Sequence, residues 1–236
     1  MKISYDNEPL DFEIGEVKNL STRIADRLSE MIQNGQLRPC ERLVQTVLAQ
    51  CFGISRVTIR DALQLLKQKG LAISVKSRGI IVRPVTIKSI QDMCIIRRLV
   101  ESYAVIEACS RITKENIEVL KGIIREQEEL VQSMQLKKLL AKDWEFHKTI
   151  YNLCENELIR DVISLLWVRM QHARGLGLVD KKWGRAWGCN SINRHQLLLK
   201  ALQKGDAEKA GKIFKETIDL SGEHLLQGLR ETGWID

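Results

Sequence analysis

Apolar positions recur with helical spacing along most of this chain. Ile59, Ala62, Leu63 and Leu66 fall at i, i+3, i+4 and i+7, the stripe of a helix with one face on a core. Arg56 and Arg60 lie four residues apart, so both leave that helix from one side near its start. Ser55 is a good N-cap, and Gly53 supplies a turn. Just upstream, Leu43 to Gln50 reads as a shorter helix. Two helices joined by a tight turn, the second opening on arginines, are the pattern of a helix-turn-helix, in which the start of the second helix meets base edges. A third stripe of Leu20, Ile24, Leu28, Met31 and Ile32 predicts a preceding helix from about Asn19 to Asn34, stopped by Gly35.

The period changes after Gly70. Leu71–Val75 and Ile80–Val82 are short β-rich runs separated by Lys76-Ser77-Arg78-Gly79, which predicts a hairpin with a basic tip, a wing. Gly79 permits the positive φ that lets the backbone approach DNA closely. Pro84 closes this segment. From Thr86 onward the pattern is helix after helix, over about 88–110, 113–134, 136–154, 157–175 and 191–204. Gly205 then serves as a C-cap and Asp206 as the N-cap of a last helix reaching about Leu229. The stretch Gly175 to Gly188, rich in glycine, charge and tryptophan, reads as a long connection or a frayed helix pair. The expected fold class is mainly α: an N-terminal winged helix-turn-helix with a small β-wing, then an all-α antiparallel bundle of six to seven helices. A bundle of this kind places ligand sites in its interior. The domain boundaries read as a loose arm over 1–16, a DNA-binding domain over 17–84 and a helical domain over 85–236.

Charge sharpens that division. The chain of 236 residues carries +7, and twelve Lys/Arg face only four Asp/Glu between Val17 and Pro84. The excess therefore sits on the segment with the helix-turn-helix, where phosphates would need it. No run of eighteen apolar residues occurs and the first residues lack a signal-peptide core, so a cytoplasmic protein without a membrane partner is expected. Six scattered cysteines with no Cys-x-x-Cys pair read as reduced thiols.

Asp143 and His147 are four residues apart on one predicted helix, among the apolar Trp144, Phe146 and Ile150. An acid and an imidazole pointing inward need partners, and a divalent metal is one. An ordinary Asp–His hydrogen bond is the plainer reading of the same spacing. His195, opening the helix expected at Ser191, is a third candidate ligand. His172 is expected on a polar helix side, and His224 on the surface.

Gly35-Gln36-Leu37-Arg38-Pro39, Glu41-Arg42-Leu43, Leu48-Ala49, Gly53-Ile54-Ser55-Arg56, Ile59-Arg60-Asp61-Ala62-Leu63, Gly70-Leu71, Arg78-Gly79 and Val82 together resemble the GntR family of bacterial regulators. Asp143-x-x-Phe146-His147, Asn156-x-Leu158, His195, Ala201-Leu202 and Gly205-Asp206 resemble its FadR-type ligand-binding domain, FCD. The two halves cover nearly all the chain after Val17, in the family's order. The resemblance implies a homodimeric, ligand-responsive transcription regulator that binds a two-fold double-stranded DNA operator. It assigns major-groove and phosphate contacts to Ser55, Arg56, Thr58 and Arg60, and wing contacts to Lys76, Arg78 and Gly79. It implies a small organic-acid effector in the bundle, for which Arg97, Arg169 and Thr217 are candidate contacts. It also implies a zinc-like divalent ion on Asp143, His147 and His195. Two departures matter. Cys40 stands where the family has glycine, and Thr217 stands where its metal-binding members have a further histidine. The site therefore reads either as a metal site completed by water or effector, or as a metal-free polar pocket. Two other functions fit parts of the pattern: a metal-dependent hydrolase using Asp143, His147 and His195, and an architectural DNA-binding protein whose bundle only dimerises.

Overall fold

The computed structural model describes residues 19–177 and 181–235. The arm expected over 1–16 lies outside them. The chain divides into two compact units, with the boundary between Pro84 and Val85.

The first unit holds α1 (Leu20–Gln33), α2 (Gln45–Phe52), α3 (Arg56–Gln68), β1 (Ala72–Val75) and β2 (Gly79–Val82). Asn19 caps α1 through its side chain, and Ser55 caps α3 by accepting from the Thr58 N–H. The turn between α2 and α3 is closed by Gly53 at φ 65°. The predicted stripes are the core: Ile24, Leu28, Ile32, Ile59, Leu63 and Leu66 are fully buried. α2 starts two residues later than the periodicity suggests. Leu43 instead donates its N–H to the Ile80 carbonyl, and Arg42 pairs with Ile81, so residues 40–43 lie along the hairpin's edge. β1 and β2 run antiparallel in the register Ala72↔Val82 to Val75↔Gly79. Cys40, at the start of that edge, has φ 65°, the left-handed conformation that glycine adopts at no steric cost.

Among its described residues the second unit holds six helices: α4 (Ile87–Cys109), α5 (Lys114–Gln132), α6 (Leu136–Tyr151), α7 (Glu157–Gly177), α8 (Lys181–Gln203) and α9 (Ala207–Glu231). Thr86 and Thr113 open α4 and α5 with reciprocal capping boxes, and Asp206 caps α9. α4 packs on α7 and α9, α5 on α6 and α8, and α8 on α9. Trp167, Phe146 and Phe214 are its largest fully buried side chains. No helix among the described residues is long and apolar enough to cross a membrane.

Of the two readings of Gly175–Gly188, the described residues follow the helix pair and not the long connection: α7 continues to Gly177 and α8 begins at Lys181, ten residues before Ser191, while 178–180 lie outside the described residues. The reason is packing. Trp183 and Trp187, four apart, are both buried, while Gly188 leaves room for Leu139 and Val131, which a Cβ would meet at 2.7 and 2.8 Å. Tertiary contacts thus override the poor helix propensity of the glycines.

Candidate functional site

In the first unit the candidate residues lie at the start of α3 and at the wing tip. Arg56 and Arg60 are exposed on the side of α3 away from its core stripe, and Arg60 has only a long 3.7 Å contact with Asp61. The Ser55 and Thr58 hydroxyls bond each other at 2.8 Å, so both help to fix the start of α3. Lys76, Arg78 and Gly79 are exposed at the wing tip, with Gly79 at φ 74°. Arg42, which sequence reasoning did not select, donates its Nε to the Arg78 carbonyl at 3.0 Å and ties the wing to the edge segment. They stand thirty-six positions apart in the chain, with no local signal of that bond.

In the second unit the site is buried. Asp143, His147 and His195 come together, from α6 and from the C-terminal half of α8, and are 2%, 4% and 1% exposed. His195 does not open its helix, because α8 starts earlier than expected. The two imidazole Nε2 atoms lie 3.1 Å apart, and Asp143 Oδ1 lies 3.5 Å from His195 Nε2 and 3.9 Å from His147 Nε2. On the far side of its ring, His195 Nδ1 lies 2.9 Å from Gln127 Oε1, and an N–H donated there leaves Nε2 with a free lone pair. Ser191 donates to Asp143 Oδ1 at 2.6 Å, and Arg174 donates to Oδ2 at 3.0 Å.

These neighbours set the charges. Burial alone would push the Asp143 carboxyl up, but Arg174, the two histidines and the Ser191 hydroxyl hold it at about 2. Burial lowers His195 to about 4 and takes His147 well below its ordinary value, against the pull of Asp143. The site is therefore one carboxylate and two neutral imidazoles at neutral pH, with a donor atom from each within 4.8 Å of the others. Donors of that kind, that close, fit a divalent metal ion. Thr217 does not extend the set, since its hydroxyl donates to the Ile213 carbonyl and accepts from Arg194 Nε at 3.1 Å.

A cavity of about 360 Å³ opens beside this group, lined by Asp143, His147, Arg97 and Arg174, and by Trp187, Phe214, Thr217 and His224 among others. Arg97 is buried and pairs with Glu101 through Nε at 2.6 Å and Nη2 at 3.1 Å, while Tyr151 donates to the same carboxylate at 2.7 Å. Three expectations need correction. Arg169 does not line the cavity; Arg174, five residues on and so on a different side of α7, does. His172 is buried at 2% exposure rather than on a polar face, and burial lowers it to about 4. His224 is half-buried and lines the cavity, and its carbonyl accepts from Trp183 Nε1 at 2.8 Å.

Residues 20–82 match the family model "Bacterial regulatory proteins, gntR family", and residues 92–220 match the FCD domain. The chain is 23% identical to the HTH-type transcriptional regulator YdhC of Bacillus subtilis over 94% of this chain and 97% of that one. It is 30% identical to the Nta operon transcriptional regulator of Aminobacter aminovorans, over 58% of this chain and 65% of the relative. Among solved structures, Escherichia coli McbR/YncC superposes with a TM-score of 0.74 at 22% identity, covering 89% of this chain and 98% of that one. A GntR regulator from Rhodococcus sp. RHA1 gives 0.73 at 23% identity, over 88% and 97%. These relatives are transcription regulators, not enzymes, which removes the hydrolase reading of the Asp143–His147–His195 group. The chain is a DNA-binding transcription regulator of the GntR family, with an FCD effector-binding domain as its second half.

Proposed function

We propose that two copies of this chain bind a two-fold operator in the cytoplasm, and that a small carboxylate in the helical unit changes their affinity for it. The observation that carries this reading is the cavity beside Asp143 and His147, a polar pocket with buried arginines inside a bundle. A bundle that served only to dimerise would have no use for buried charges there, since burying them is costly. That argues against a purely architectural role.

Arg56 and Arg60 read the major groove, Ser55 and Thr58 hold the start of α3 against the backbone, and Lys76, Arg78 and Gly79 meet phosphates from the wing. Arg42 keeps the wing tip in place for them. Dimerisation uses α4 and α7. Ile95, Leu99, Tyr103 and Ile106 on α4, and Leu158, Val162 and Leu165 on α7, are exposed apolar residues on two packed helices, with Leu99 at 66% and Leu158 at 76%. So large an apolar stripe calls for a cover. A second copy supplies one with the same stripe, as a two-fold interface requires.

Asp143, His147 and His195 would hold a divalent ion, which when bound supplies a fixed positive charge joining α6 to α8. Arg97 and Arg174 offer donors to an anionic effector, and Thr217 and Arg194 line the same cavity.

A gel-shift titration with a duplex selected from a random pool tests the whole reading. Two chains per duplex are expected, together with a change in affinity when the effector is added. One chain per duplex at saturation would remove the dimer. Metal analysis of untagged protein is expected to give about one ion per chain, and a chelator is expected to lower the melting temperature, because an ion that binds only the folded state stabilises it. Protein without metal, and indifferent to chelator, would leave a metal-free pocket.

A further inference from the structure

Val57 is the most exposed large apolar side chain among the described residues of the winged unit, at 58%. It stands in the first turn of α3, and the helical repeat fixes which way it points. Measured from the fully buried Ile59, about 100° per residue puts Arg56 about 60° round the helix axis and Arg60 about 100°. Val57 and Asp61 both fall about 160° from Ile59, and Gln64 about 140°. The two arginines therefore stand on one flank of the outward face, and its centre is Val57, Asp61 and Gln64, all three exposed. Local bonds hold that turn still: Ser55 Oγ accepts the Thr58 N–H at 3.1 Å and bonds the Thr58 hydroxyl at 2.8 Å. A β-branched side chain in a helix keeps one χ1, so Val57 presents its methyls in a fixed direction. Folding has no use for it there, because exposed valine is a poorer helix former than alanine.

Resting on α3 entering the major groove, we propose that Val57 determines sequence preference by packing against the 5-methyl group of one thymine in each half-site. A valine side chain has neither donor nor acceptor, so it is blind to the nitrogen and oxygen pattern of the base edges. The apolar group that the major groove does offer is the thymine methyl. Cytosine has only hydrogen at that carbon and an amino group beside it, and valine seated there would cover a donor without pairing it. Asp61 works in the same direction. Its carboxylate, 3.7 Å from Arg60 Nε, shares the centre of the face with Val57 and repels phosphates, so this part of α3 favours base edges over the backbone.

The test is a gel-shift titration of full-length protein with a duplex selected from a random pool, each thymine being replaced in turn by deoxyuridine. Deoxyuridine keeps the base pair and loses only the methyl. At one thymine per half-site the replacement is expected to weaken binding about fourfold, the worth of one buried methyl. Val57→Ala, whose side chain stops short of the base, is expected to bind the thymine and deoxyuridine duplexes alike at that position. Val57→Ile, which keeps the apolar end, should still discriminate. Arg60→Ala is expected to weaken both duplexes equally and to keep the difference between them. A selected duplex in which no thymine responds to loss of its methyl would overturn the proposal. Discrimination that survives in Val57→Ala would also overturn it, by placing the methyl against another residue. If Val57→Ala and Arg60→Ala both left affinity unchanged on every duplex, α3 would not lie in the groove, and the reading beneath the proposal would fail with it. Thermal unfolding of Val57→Ala is expected to match that of the native protein, since the residue is exposed, so that a loss of discrimination is not a loss of fold.

Discussion

The two units place their chemistry in opposite environments. In the winged unit the candidate residues stand in solvent, and its core is made of apolar side chains that take no part in function. In the helical unit the candidate residues are the core: Asp143, His147, His195, Arg97 and Arg174 are all buried, and Phe146 stacks on His195 with ring centroids 3.9 Å apart. Function and stability are therefore separable in the first unit and joined in the second. A surface that reads DNA can change residue by residue with little cost to folding, whereas a buried polar site has to be kept whole or rebuilt together.

The strongest way to break this contrast is Asp143→Ala. It leaves Arg174 buried without its carboxylate, and the helical unit is expected to lose about 3–5 kcal/mol in urea denaturation followed by circular dichroism. A loss below about 1 kcal/mol would mean that water reaches the site and that its charges are not structural. Next comes pH. His172 is lowered to about 4 by burial, against an ordinary value of 6.5, so the unfolded chain binds its proton first. Its contribution is complete above pH 6.5 and is lost as the pH falls through about 4, at about 1.4 kcal/mol per unit and about 3 kcal/mol in all. His172→Leu should flatten the acid slope of the helical unit's stability by that share; an unchanged slope would show His172 already protonated in the folded state.

In the winged unit, Arg60→Ala is expected to weaken operator binding by about 1–3 kcal/mol at matched salt while leaving the unfolding transition where it was. Unchanged binding would take Arg60 off the reading surface, and a lowered transition would blur the separation of roles. The smallest effect concerns Cys40, the one place among the described residues of the winged unit with a positive φ outside glycine. Cys40→Gly should stabilise that unit by about 1 kcal/mol in thermal unfolding, since glycine adopts φ 65° without a Cβ clash. Destabilisation would show that the thiol makes contacts worth more than the strain.

The same contrast decides what could be read in advance. The stripe from Ile59 to Leu66, the Ser55 cap, the Gly53 turn and the wing tip are local patterns, and the structure places them close to where the spacing does. Asp143 and His147 are local too, being one turn apart. Arg174 is not. It reaches Asp143 across thirty-one residues, and nothing near it in the chain distinguishes it from Arg169. Gln127, sixty-eight residues from His195, is equally silent. The start of α8 did carry a signal: Trp183 and Trp187 stand at i, i+4, an apolar pair that the neighbouring glycines obscured.

The indoles around the cavity have a practical consequence. All five tryptophans, at 144, 167, 183, 187 and 234, belong to the helical unit, and the winged unit has neither tryptophan nor tyrosine over residues 19–84. The protein is thus optically one-sided. Tryptophan emission reports the helical unit alone, with Trp167 and Trp187 in contact with Arg174, while the half that reads DNA contributes none. Any change in tryptophan emission on adding an operator would then be a signal passed from one unit to the other, visible without a label.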